Sequence, residues 1–123
     1  MWNNFLLIFL GGGLGSVLRF VIAQYITRKI ESGIPWGTLV VNIAGSLILG
    51  ALTGFIHKMN LSGSQYTIFF TIGFCGGFTT FSTFAFENMQ LIKNGDWTQV
   101  ILYTLASVIL GILAAFVGFA LLK

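Results

Sequence analysis

Acidic side chains are nearly missing from this sequence: Glu31, Glu87 and Asp96 are the only ones among 123 residues. Six Lys or Arg raise the charged fraction to just 7%, against 56% hydrophobic. So few charges cannot coat a soluble domain of this size. The lone cysteine, Cys75, excludes an intrachain disulfide. The lone histidine, His57, sits beside Lys58 at a span end. No His/Cys ligand cluster and no nucleophile–base pair can be assembled, which argues against an enzyme. The single proline, Pro35, suits the first turn of a helix, where its missing N–H costs nothing. The basic residues are scattered, so a net charge of +3 does not make a nucleic-acid surface. Met1-Trp2-Asn3-Asn4 lacks the basic region of a signal peptide.

What is abundant is apolar length. A membrane-spanning helix needs about 20 apolar residues, and four windows supply them: Asn3 to Thr27, Trp36 to Ile56, Tyr66 to Gln90 and Trp97 to Leu122. The reading is an all-α, multi-pass integral membrane protein, one domain over residues 1–123, placed in the inner (plasma) membrane. Trp2, Trp36, Tyr66 and Trp97 fall near span ends, where amphipathic rings anchor. Orientation follows Lys/Arg bias. Arg28, Lys29 and Lys93 fall on one side, and Lys58 and Lys123 on the other. A balance this close permits insertion both ways round, and hence an antiparallel homodimer with its two-fold axis in the membrane plane.

The first span carries Gly11-Gly12-Gly13-Leu14-Gly15-Ser16. Gly11 and Gly15 form a GxxxG pair that lets helix backbones approach. Arg19, one turn beyond, must reach headgroups, an anion-attracting vestibule or a partner within the bundle. In the second span Thr38, Asn42, Gly45, Ser46, Gly50 and Thr53 make one small, polar stripe. Asn42 either ties two helices together or offers an N–H to a dehydrated anion. In the fourth, Tyr103, Ser107 and Gly111 recur every four residues as a short polar track.

The third span holds the unusual feature, Gly73-Phe74-Cys75-Gly76-Gly77-Phe78-Thr79-Thr80-Phe81-Ser82-Thr83-Phe84, inside a stretch without charge from Met59 to Phe86. Glycine within a helix costs about 1 kcal/mol relative to alanine, so Gly73, Gly76 and Gly77 predict that the third helix is broken mid-membrane. Irregular backbone at that depth lines a cavity or an ion site. Hydroxyls of Thr79, Thr80, Ser82 and Thr83 are placed to cap a restarted helix. Phe81 and Phe84 share a face, and their ring edges carry partial positive charge. Glu87 lies one turn further on the same side.

Taken together, these residues resemble the Fluc (CrcB) fluoride channel family across essentially the whole chain. The resemblance implies a small dual-topology homodimer with two antiparallel pores that exports toxic fluoride passively from the cytoplasm. It implies a central structural sodium ion held by backbone carbonyls, which map onto Gly76 and Thr79. The pore phenylalanines map onto Phe81 and Phe84, the pore asparagine onto Asn42, and the vestibule arginine onto Arg19. Ser82, Thr83, Tyr103 and Ser107, with Glu87 at the end, correspond more loosely to a hydroxyl track. Two other readings stay open. A proton-coupled multidrug exporter of similar size needs a membrane carboxylate, for which only Glu87 is available. A non-transporting assembly subunit explains the glycines and leaves the hydroxyl–phenylalanine pattern without purpose.

Overall fold

The computed structural model describes residues 1–123 and is entirely helical. The first helix runs Trp2–Lys29, the second Trp36–Met59 and the fourth Trp97–Leu122. The third span occupies Gln65–Lys93 and is made of two halves. All four are long and apolar enough to cross a membrane. The helices overrun the apolar windows by up to three residues because Arg28, Lys29, Lys58 and Lys93 lie in their final turns. Cations there complement the carbonyl end of the helix and extend to the headgroups.

Short turns close the connections. Asn60 adopts a left-handed φ of 56° and ends the second helix, with Leu61 N–H donating to the Ile56 carbonyl at 3.0 Å. Gly95, at φ 78°, does the same after the third span, where Asp96 N–H reaches the Leu91 carbonyl at 2.9 Å. Both are six-residue C-terminal caps that need a residue tolerant of positive φ.

Two backbone seams hold the bundle. The first helix lies against the first half of the third span, and the second helix against the fourth. A Cβ on Gly11 would come within 2.6 Å of the Phe69 carbonyl, and one on Gly15 would strike the carbonyl of Phe74. On the other seam, a Cβ on Gly54 would meet the Phe119 carbonyl at 2.6 Å. Gly50 and Gly118 are tighter still, against the carbonyls of Ala115 and Leu47. Apolar burial between helices drives little in lipid, so close backbone packing takes its place. Only 15 of 123 residues are buried.

The glycines of the third span do not interrupt it, contrary to the sequence expectation. Gly73 lies in a π-helical stretch, Ile68–Cys75, and Gly76 and Gly77 in the α-helical turn Gly76–Phe78. Gly73 and Gly77 are small because the backbone of the first helix at Gly11 and Gly12 presses on them. The interruption comes two residues after Gly77, at Thr79–Phe81, after which Ser82–Lys93 forms the second half.

Candidate functional site

At the interruption, hydrogen bonds are exchanged in a definite pattern. Thr80 N–H would reach the Gly76 carbonyl in a continuing helix, and instead donates to Asn42 Oδ1 at 2.8 Å. Asn42 Nδ2 donates in return to the Thr80 carbonyl at 2.9 Å. Thr83 N–H donates to Thr80 Oγ1 at 3.2 Å, which caps the second half. As a result the carbonyls of Gly76, Phe78 and Thr79 lose their helical donors. Gly77 is treated differently: its carbonyl accepts Arg19 Nε–H at 3.1 Å and, more weakly, the Ser16 hydroxyl at 3.4 Å. Unpaired carbonyl oxygens at unwound backbone suit a hard monovalent cation, so Gly76 and Thr79 fit the donor set that the resemblance assigns to sodium.

Beside this backbone lies a groove of about 490 Å³ lined by Asn42, Gly76, Thr79, Phe81, Phe84 and Ser107. The Phe81 and Phe84 rings are 5.7 Å apart and tilted by 43°. Phe81 is 78% exposed in the single chain, whereas Phe84 leans on Tyr103 at 5.1 Å. Tyr103 is fully buried with Leu39 and Leu91, and its hydroxyl has no hydrogen-bond partner. The Ser107 hydroxyl is also buried without one. Ser107 borders the groove, whereas the Tyr103 hydroxyl lies in the core close to Thr38 and Glu87.

A second cavity, of about 290 Å³, gathers Arg19, Gln24, Thr27, Thr38, Thr80 and Thr83. Glu87 accepts the Thr38 hydroxyl on this side of the second helix. The expected hydroxyl track is thus divided within one chain. Ser107 belongs to the phenylalanine groove, Thr83 to the Arg19 cavity, Tyr103 to the core between, and Ser82 is exposed. Thr80 borders both cavities.

Residues 6–119 match the family described as CrcB-like protein, Camphor Resistance (CrcB). The chain belongs to this family. A relative from Phocaeicola vulgatus, named fluoride-specific ion channel FluC, is 47% identical over 119 residues, covering 94% of this chain and 95% of its own. Relatives of the same name from Azobacteroides pseudotrichonymphae and Rhizobium meliloti are 44% and 41% identical. Each of these alignments covers 98% of this chain and 97% of the relative.

Three features of this CrcB-like chain were not separable in its sequence. Thr38 is visible there as a stripe residue but not as the donor to Glu87. Thr80 is one hydroxyl among several, yet its peptide is the one that Asn42 grips. Arg19 has three possible outlets in the sequence, and its partner is a backbone carbonyl 58 residues away.

Proposed function

We propose that this multi-pass membrane protein is a fluoride-specific channel, not an enzyme, exporting fluoride passively from the cytoplasm across the inner membrane. The observation that carries the reading is the groove of Asn42, Phe81, Phe84 and Ser107 in a chain whose relatives are named fluoride-specific channels. Fluoride is small and strongly hydrated, so a pore must replace its water with several weak donors and no deep trap. Phenyl edges supply diffuse positive potential. The second amide hydrogen of Asn42 and the unpartnered hydroxyls of Ser107 and Tyr103 supply O–H and N–H donors. Arg19 raises the anion concentration in its vestibule, and Thr83, Ser82 and Glu87 continue the polar route. Larger halides are rejected by width and by donors left unpaired.

The working unit in this reading is an antiparallel homodimer of one four-helix domain, residues 1–123, inserted in both orientations. Two interruptions at Thr79–Phe81, lying mid-membrane, meet at the two-fold axis. There the Gly76 and Thr79 carbonyls of both subunits hold one sodium ion, which neutralises their converging dipoles. A multidrug exporter loses support because the first span carries Arg19 and no carboxylate, and a non-transporting subunit because it leaves the paired phenylalanines beside the groove without purpose.

The test is ion efflux from liposomes holding the purified protein, with fluoride and chloride electrodes read in parallel. Rapid fluoride loss with little chloride loss is expected. A well-folded protein that releases no fluoride would return the groove to a packing role.

A further inference from the structure

We propose that Asn42 and Arg19 act as positioning residues, holding the interrupted backbone from two helices so that the Gly76 and Thr79 carbonyls stay available to a sodium ion. This rests on the sodium reading above and assigns the residues that maintain the site.

The assignment follows from which backbone atoms are occupied. Two i→i−4 bonds are missing at the start of the interruption, Thr80 N–H to Gly76 O and Phe81 N–H to Gly77 O. Asn42 Oδ1 takes the first donor, at 2.8 Å. Arg19 Nε–H, with the Ser16 hydroxyl, replaces the second by bonding the Gly77 carbonyl. Each side chain therefore substitutes for one lost helical bond. If Asn42 is removed, Thr80 N–H is free to close on Gly76 O and the helix reclaims a cation ligand. If Arg19 is removed, the Gly77 carbonyl is released to compete for Phe81 N–H and so lengthen the helix through the break. The carbonyls thus fall into two sets, Gly77 and Thr80 occupied by side chains, and Gly76, Phe78 and Thr79 left open, of which Gly76 and Thr79 border the groove. Gly45 completes the arrangement, since a Cβ there would collide with the Thr79 side chain. The second helix can therefore come close enough for Asn42 to reach Thr80.

A sodium ion that binds the native state raises its unfolding temperature in a concentration-dependent way. Thermal unfolding of the purified channel, with NaCl replacing N-methylglucamine chloride at fixed ionic strength, measures the half-saturating sodium concentration. Asn42→Leu keeps the branching of the side chain and removes both bonds to Thr80. Arg19→Lys keeps the charge and removes the Nε donor. Each is expected to raise the sodium midpoint about tenfold, the factor carried by about 1.4 kcal/mol. Thr53→Ala, whose hydroxyl bonds only Leu49 of its own helix, is expected to keep the wild-type midpoint. If Asn42→Leu does not fold, Arg19→Lys decides alone. Unchanged midpoints in variants that have lost fluoride efflux overturn the proposal and leave both residues as pore lining only. A wild-type protein without any sodium response overturns the sodium reading itself.

Discussion

Asn42 shows how much one amide can do in this chain. Its oxygen and one of its hydrogens are committed to Thr80, which leaves a single N–H for the groove. Phe81 differs, being largely exposed and making no contribution to the core. Substituting Phe81→Ile should therefore leave thermal stability within about 0.5 kcal/mol, as for other surface changes. Fluoride efflux from liposomes should fall by up to about tenfold, since ring-specific contacts are worth roughly 0.5–1.5 kcal/mol. Tyr103→Phe removes a buried hydroxyl that has no partner in the chain. That change should leave folding intact or improve it slightly, because an unpaired buried hydroxyl is a cost. A simultaneous fall in fluoride efflux would identify the hydroxyl as an ion contact. An unchanged rate would confine Tyr103 to packing.

Among the elements, the first helix and the third span are joined by backbone rather than side chains, and the glycines are not equivalent. A Cβ on Gly15 would strike the Phe74 carbonyl, while one on Gly13 meets nothing within 4 Å. Gly15→Ala should destabilise the purified protein by about 1–3 kcal/mol, as overpacking does. Gly13→Ala should stabilise it by up to about 1 kcal/mol through helix propensity alone. Thermal unfolding of the two variants side by side checks the contrast. The same pair marks the limit of sequence reading. Four spans and the GxxxG seam were legible because apolar length and glycine spacing are local properties. The position of the interruption was not. Gly73 and Gly77 look like helix breakers in a one-dimensional pattern, but they are contact points for Gly11 and Gly12 across the seam. The true break depends on Asn42, which lies on another helix and takes the Thr80 N–H. The residues that the resemblance assigned by motif, Asn42, Phe81 and Phe84, line one groove with Ser107, which was assigned by helical face. The resemblance could not divide Thr83 from Ser107, because helical face alone does not say which cavity a hydroxyl enters.

At the scale of the whole molecule, the single chain exposes 8002 Å², whereas a compact soluble monomer of this mass would expose about 6500 Å². The excess reflects four long helices that bury little side-chain surface between them. Basic charge is nearly equal on the two sides of the membrane, three residues against two, which gives a direct test of the proposed dual insertion. Asn94→Lys with Lys58→Gln should fix one orientation, and Ser62→Lys with Lys29→Gln and Lys93→Gln the other. Topology reporters fused to the C-terminus check the insertion. Each form alone should support little fluoride efflux, and co-expression should restore it. Equal activity from either form alone would count against the antiparallel dimer. The Arg19–Gly77 bond adds a constraint on biogenesis. Arg19 is synthesised 58 residues before its partner. At about 5–20 residues per second, it waits roughly 3–12 s without that bond. A lone arginine in a spanning helix costs at least about 2.5–3.5 kcal/mol. The first helix therefore gains the bond that anchors Arg19 only after the third span has been made, so the last contact to form on this seam joins an early segment to a late one.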